Sequence, residues 1–176
     1  MLADSYIVPQ CKADPRTLGA LMALYEGNFI KLTALAPALL SPSPARAAQA
    51  ALPAAQPALP AAQVALQTGS PVVSRTARDL DLHLCVDAVT RYTVDLRLTY
   101  FFDDPAGPEA DPDLHLRLYV DARMVEVISW SVSHRHEVLR QLALKNSREL
   151  DRRWSRNIML GKWLDYLADR GHAFRP

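Results

Sequence analysis

The sequence predicts an α+β domain in which a four-stranded antiparallel sheet is packed on one face by an N-terminal and a C-terminal helix. Three observations lead there. Apolar residues recur at spacings of three and four near both ends of the chain, the mark of amphipathic helices. Between them the period changes to two, the mark of strands with one packed face. The gaps between the alternating runs are short or hold Pro, Gly and Asp, the residues of turns.

The first helix is expected at about 15–35. Asp14 can cap it and Pro15 suits its first position. Leu18, Leu21, Met22, Tyr25, Phe29, Leu32 and Ala36 then form one apolar face, and Pro37 ends it. Residues 37–71 are a different material. They hold 12 Ala and 7 of the 13 Pro, with Arg46 as the single charge, and the unit LPAAQ occurs at 52–56 and 59–63. Proline removes backbone donors and Ala buries little, so this stretch reads as a low-complexity linker insertion. The organisation is therefore residues 1–36 as the N-terminal helix, 37–71 as the insertion, and 72–176 as the sheet and C-terminal helix of the same single domain.

Four strands come next. Leu80, Leu82, Leu84 and Val86 alternate with Asp81, His83, Cys85 and Asp87. Tyr92, Val94, Leu96, Leu98 and Tyr100 alternate with Arg91, Thr93, Asp95, Arg97 and Thr99. Leu114, Leu116, Leu118 and Val120 alternate with His115, Arg117, Tyr119 and Asp121. The fourth run, Met124 to Trp130, is more apolar, and a tight hairpin near Asp121-Ala122 joins it to the third. A short helix around 134–144 is suggested by Val138, Leu139 and Leu142. The last helix opens on Asn146 and Glu149, a capping-box spacing. It carries Leu150, Trp154, Ile158, Leu160, Trp163, Leu164 and Leu167 on its apolar stripe, and stops at Gly171. Trp154 and Trp163 read as core anchors.

Composition excludes several function classes. A net charge of +1 gives no global footprint for nucleic acid or an anionic membrane. No run of about 18 apolar residues is present, and the N-terminus lacks a basic segment followed by an apolar one. A cytoplasmic protein is expected. Cys11 and Cys85 do not make a disulfide framework. Residues 72–133 hold 6 basic and 11 acidic side chains and residues 134–176 hold 10 and 5, so the two halves of the fold can solvate each other.

Some segments look familiar. LYEGNFIKL (24–32), TRYT (90–93), RLYVDARMVEV (117–127) and NIMLGKWLDYLADRG (157–171) resemble the YqiB-like family, a bacterial domain of unknown function, DUF1249. The hairpin carries the most specific part: Arg117, Leu118, Tyr119, Asp121, Ala122, Met124, Glu126 and Val127. In the tail Asp151, Asn157, Leu160, Trp163, Leu164 and Gly171 match. The resemblance implies a small cytoplasmic protein, of a kind often encoded near nucleotide-hydrolysing enzymes, and brings no assigned activity. This chain departs from the pattern in three places. Val120 stands where a His is expected, Lys145-Asn146-Ser147-Arg148 where a Pro-Asn pair and a His are expected, and the first connection is long. A function carried by those positions would be lost or altered here.

Four constellations carry side chains with usable chemistry. Asp81, His83 and Cys85 share a strand face and are all zinc-ligand types, but same-face neighbours lie about 6.5–7 Å apart, so an exposed polar face is the plainer reading. His134 and His136 are a ligand pair only in an extended segment. Arg148, Arg152, Arg153 and Arg156 lie at helical spacing beside Glu149 and Asp151, which reads as a charged helix face. The polar side of the hairpin ranks highest: Arg117, Tyr119, Asp121 and Glu126, with Asn157 from the last helix, are the candidate ligand-binding residues. A cross-strand Arg–carboxylate ladder with Asp95 and Arg97, or a buried network that fixes the hairpin to the last helix through Asn157, explains them without any ligand and is the plainer reading. There is no P-loop, GxGxxG, GxSxG or HExxH. No catalytic residue, metal or cofactor is indicated. The expected role is non-enzymatic binding or accessory work with an unidentified protein or small-molecule partner. The runner-up is an enzyme or sensor for a small phosphorylated or nucleotide ligand.

Overall fold

A computed structural model describes residues 17–40, 68–105, 107–130 and 149–175. The expected cap at Asp14, the insertion between 41 and 67, the short helix at 134–144, the His134/His136 pair, Cys11, Asn146 and Arg148 lie outside the described residues.

Helix α1 spans Leu18–Leu35. Its N-cap is Thr17, whose Oγ1 accepts the Ala20 N–H at 3.2 Å, so the helix starts about three residues later than the Pro15 signal suggests. After Ala36 the chain makes one short 3-10 helix, Pro37–Leu40, and Leu39 in it is buried in the core. The described residues then hold six strands: β1 (Pro71–Ser74), β2 (Leu82–Val89), β3 (Thr93–Phe102), β4 (Glu109–Ala110), β5 (Leu114–Tyr119) and β6 (Met124–Trp130). Helix α2 spans Glu149–Arg170.

The sheet runs β1-β2-β3-β5-β6 with every pair antiparallel, and β4 pairs with the end of β3. The expected four strands are therefore six among the described residues. β1 and β4 have four and two residues, too short to show a period, and β1 begins at a proline that only an edge strand tolerates. Both ends of the 37–71 stretch thus belong to ordered structure: Leu39 packs in the core, the Gly69 N–H donates to the Val86 carbonyl at 2.8 Å, and Pro71 opens β1.

The alternation assigns the faces. Leu82, Leu84, Val86, Leu96, Leu98, Leu114, Leu116 and Leu118 are buried together with Phe29, Leu32 and Leu35 of α1 and Leu160, Leu164 and Leu167 of α2. Each buried Leu is worth about 1.5–3 kcal/mol over an exposed one, so this single layer carries the fold. A second cluster of Ala20, Leu21, Tyr25, Trp154 and Ile158 joins the two helices near the N-terminal ends of both. Trp163 is only partly buried and packs edge-on against Tyr100, centroids 5.6 Å apart, so the deeply buried tryptophan is Trp154. α2 ends at Gly171, whose φ of 84° is the left-handed stop expected there. The tail then turns back. The Phe174 N–H donates to the Leu35 carbonyl at 2.8 Å and its ring enters the core.

The helices approach closely at Gly161. A Cβ added there would lie 2.9 Å from the Asn28 Oδ1. Ala is favoured over Gly in a helix by about 1 kcal/mol, but forcing an extra carbon into a closed contact costs about 1–3 kcal/mol. Gly161→Ala should therefore lower the midpoint of thermal unfolding, and shortening Asn28 to Ala in the same chain should recover part of the loss. A midpoint that rises in the single variant would show that Asn28 swings aside freely.

Candidate functional site

The structure brings the sequence-derived candidates Arg117, Tyr119 and Glu126 side by side on β5 and β6, with Asn157 of α2 against the same edge and Asp121 apart in the turn. Arg117 faces outward on β5, opposite Asp95 on β3. It donates through Nε and Nη2 to the two oxygens of Asp95 at 2.7 and 2.9 Å, a bidentate pair that holds the guanidinium firmly charged. Asp121 is exposed in the β5–β6 turn, where its Oδ1 accepts the Ala122 N–H at 2.9 Å. Tyr119, Glu126 and Asn157 meet at the β6 edge, in contacts that all lie within the protein.

Glu126 is buried, with 8% of its surface exposed. It accepts the Tyr119 hydroxyl at 2.7 Å, the Tyr25 hydroxyl of α1 at 3.1 Å and the Arg153 guanidinium of α2 at 3.3 Å. Burial and the adjacent carboxylate push the Tyr25 hydroxyl up to about 12, and they raise Tyr119 as well. One carboxylate thereby ties together both helices and the hairpin. Asn157 completes the edge. Its Oδ1 accepts the Val127 N–H at 3.2 Å, and the Arg156 Nη1 donates to the Ile128 carbonyl at 2.9 Å. α2 thus covers backbone groups that an edge strand would otherwise expose. Arg152 and Arg153 are also paired with Glu149 on the charged face of α2.

The open chemistry lies elsewhere, on the outer face of β2 and β3. There a cleft of about 460 Å³ is lined by His83, Cys85, Arg97, Thr99, Phe101 and Asp113, with Gly69, Pro71 and Ala110 at its rim. Register explains the grouping. Cys85 stands opposite Arg97 and His83 opposite Thr99, while Asp113 directly precedes Leu114, the partner of Leu98. Side chains at i and i+2 share a face, so period two on β2 and β3 assembles the floor. The rim comes from β1 and β4, the two strands too short to be legible.

The electrostatics of the cleft are mostly closed. The Arg97 Nε and Nη2 bond Asp87 at 3.1–3.2 Å, and these hydrogen bonds raise the guanidinium pKa further. Burial lowers the His83 pKa, which favours a neutral ring. That ring packs edge-on against Phe101, with centroids 4.8 Å apart at 76°, and its nitrogens have no hydrogen-bond partner among the described residues. Asp81, the third member of the strand triplet, pairs with Arg75 instead. Cys85 is a free thiol. Among the described residues, no three His, Cys, Asp or Glu side chains are grouped to hold a metal ion, and no helix is long and apolar enough to cross a membrane.

A second polar cluster escaped the sequence because its serine and histidine are 98 residues apart. The His172 Nδ1 lies 3.1 Å from the Ser74 Oγ, which also accepts the Ala173 N–H at 3.0 Å. The His172 Nε2 is 3.5 Å from the Asp79 Oδ2, and the Tyr100 hydroxyl donates to that oxygen at 2.8 Å. These are the residue types of a catalytic triad, yet Ser74 and His172 are both buried. The cluster fastens the C-terminal tail to β1. Burial alone would raise the Asp79 pKa, but hydrogen bonds from Tyr100 and the Leu80 N–H outweigh it and the net shift is downward. A depressed carboxylate contributes stability that is present above its unfolded pKa, about 3.9, and lost as pH falls through the folded value. Below about pH 4 the wild type should therefore lose more stability than Asp79→Asn, measured by urea unfolding. Parallel acid limbs for the two proteins would show that the latch does not titrate.

Comparison with known proteins adds one finding. A family model described as a protein of unknown function, DUF1249, matches residues 59–173, which takes in the whole sheet and α2 but not α1. No curated protein matches the chain, and no solved structure matches it.

Proposed function

This chain belongs to the DUF1249 family, proteins of unknown function, and from that premise we propose that it is a non-enzymatic binding protein that receives a small molecule on the outer face of its sheet. The cleft over β2 and β3 carries the reading. Its volume lies within the range of about 300–1,000 Å³ usual for small-molecule sites. Its lining mixes an aromatic ring, a thiol, a neutral imidazole and a carboxylate around a floor of regular strand, which is a rigid platform.

The same lining argues for binding rather than chemistry. His83 and Cys85 stand two apart on one strand, about 6.5–7 Å between their backbones, beyond the hydrogen-bond reach that a base needs to activate a thiol. Ser74 and His172 do meet, but both are buried. The alternative, an enzyme or sensor for a phosphorylated or nucleotide ligand, calls for cations ready to meet phosphate. Arg97 and Arg117 each already hold a carboxylate. Phosphate would meet two guanidinium charges already neutralised by Asp87 and Asp95.

The test is a thermal-shift screen of the purified chain against uncharged, cationic and phosphorylated small molecules. Any ligand that stabilises is then mapped by amide shifts and recovered for analysis. A ligand at 100 times its Kd stabilises by about 2.7 kcal/mol, well within detection. The reading expects a ligand that moves amides of His83, Cys85 and Arg97 and is recovered intact. A ligand recovered as product, or a screen in which every ligand maps away from β2 and β3, overturns it.

A further inference from the structure

Resting on that binding reading, we infer that the cleft takes an uncharged heteroaromatic ring carrying an amino donor beside a ring acceptor, in its non-phosphorylated form. Three features of the lining converge on this class.

The first is a ring-binding wall. Phe101 is 46% exposed although it lines the cleft, and the His83 ring braces it edge-on at 4.8 Å. An aromatic side chain left half open inside a concavity offers a surface for offset stacking. The rim adds Pro71 and Ala110, which bring no charge. A flat ring fills such a slot better than an alkyl chain or a sugar does.

The second is a donor next to an acceptor. Arg97 uses Nε and Nη2 on Asp87, which leaves the Nη1 donors without a partner among the described residues. Among those residues Asp113 faces the His115 ring, at 3.5 Å, and so keeps acceptor capacity. Arg97 stands opposite His115, which shares a strand face with Asp113 two residues away, so the two groups address neighbouring points of the cleft. The His83 ring nitrogens add one more donor and one more acceptor. A ring with an amino group adjacent to a ring nitrogen or carbonyl presents the complementary pair.

The third is the sign of the charge. Arg97 is cancelled by Asp87, and Asp113 then leaves the cleft with one surplus negative charge. Lysine is absent from the lining, and so is a helix N-terminus. A phosphate ester would enter against that charge, whereas an uncharged ring would not.

The experiment uses the full chain and six probes: adenosine, guanosine, cytidine and their 5′-monophosphates, each titrated by calorimetry and by amide shifts. The expected result is that at least one nucleoside binds at least tenfold more tightly than its own monophosphate. Its binding should shift amides of β2 and β3. It should weaken tenfold or more in Phe101→Ala and in Asp113→Asn, two surface changes whose thermal midpoints serve as the folding control. A monophosphate that binds as tightly as the nucleoside, binding unaffected by Phe101→Ala in a folded variant, or no nucleoside binding up to millimolar concentration would each overturn the inference. The two readings fail separately. If no ring binds but another uncharged ligand from the screen maps to β2 and β3, the ring class falls and the binding reading stands. If a nucleoside binds as expected but is consumed, the ring class stands and the non-enzymatic reading falls.

Discussion

Trp154→Ala is expected to destabilise the fold by about 3–5 kcal/mol, the cost of deleting a large buried aromatic side chain. Trp154 is 2% exposed and sits among Ala20, Leu21, Tyr25 and Ile158 in the smaller of two core clusters. That cluster joins the N-terminal part of α1 to α2, so a cavity there loosens the contact between the helices. The indole nitrogen adds a second expectation. Nε1 is buried with no hydrogen-bond partner among the described residues, so the wild type already bears the cost of a desolvated donor. Trp154→Phe removes that donor while keeping most of the ring, and should lose only about 1 kcal/mol. The partly buried Trp163, by contrast, should lose less than Trp154 when cut to Ala. Urea unfolding of the three variants orders them: Trp154→Ala far below Trp163→Ala and Trp154→Phe. A Trp163→Ala loss equal to that of Trp154→Ala would mean that the edge contact with Tyr100 anchors the core after all.

The contrast between the two tryptophans shows what periodicity resolves. A stripe at spacings of three and four marks which side of α2 turns inward, and both residues lie on it. It does not say how deep each part of the stripe goes, because depth depends on what α1 and the tail bring opposite. The strands were legible for a related reason. Leu82 to Val86, Val94 to Leu98 and Leu114 to Leu118 alternate strictly, and each buries its Leu and Val positions. β1 and β4 were not legible, since four and two residues hold too little pattern and their stability comes from partners elsewhere along the chain.

The site follows the same division. Parity alone put Arg117, Tyr119 and Asp121 on one strand face; the structure keeps Arg117 and Tyr119 there, ends the strand at Tyr119 and leaves Asp121 in the turn, and the register sets Asp95 and Glu126 on either side of Arg117. Parity also put His83 and Cys85 together. What it could not convey is that β1 and β4 raise walls beside them, turning a polar face into a cleft. Nor could it convey that Asp87 neutralises Arg97, because that contact spans a register shift between Val86 and Ala88 where the bulged residue is re-aimed. The His172 latch had no local signal at all. Its three side chains come from β1, the β1–β2 connection and the tail.

Asn157→Leu should cost about 2–4 kcal/mol although it replaces a polar residue by an apolar one of similar size at a fully buried position. The ordinary expectation runs the other way, since burying a polar group is costly unless it is bonded. Here every polar atom of the side chain has a partner. Oδ1 accepts the Val127 N–H at 3.2 Å, Nδ2 donates to the Arg153 carbonyl at 2.8 Å, and Asn28 Nδ2 approaches Oδ1 at 3.5 Å while bonding the Asn157 backbone carbonyl at 3.0 Å. Leu leaves the buried Val127 N–H with no acceptor and crowds the Asn28 amide. An unsatisfied buried donor costs about 1–3 kcal/mol, and the strained neighbour adds to it. The loss should also be local before it is global. Hydrogen exchange at the Val127 amide should accelerate by more than the change in global stability accounts for, because α2 no longer caps the β6 edge. Asn157→Asp keeps the acceptor and should protect that amide better than Leu does. If Val127 exchanges at the wild-type rate in Asn157→Leu, the edge is held by Arg156 and Glu126 instead, and the asparagine is a packing residue only.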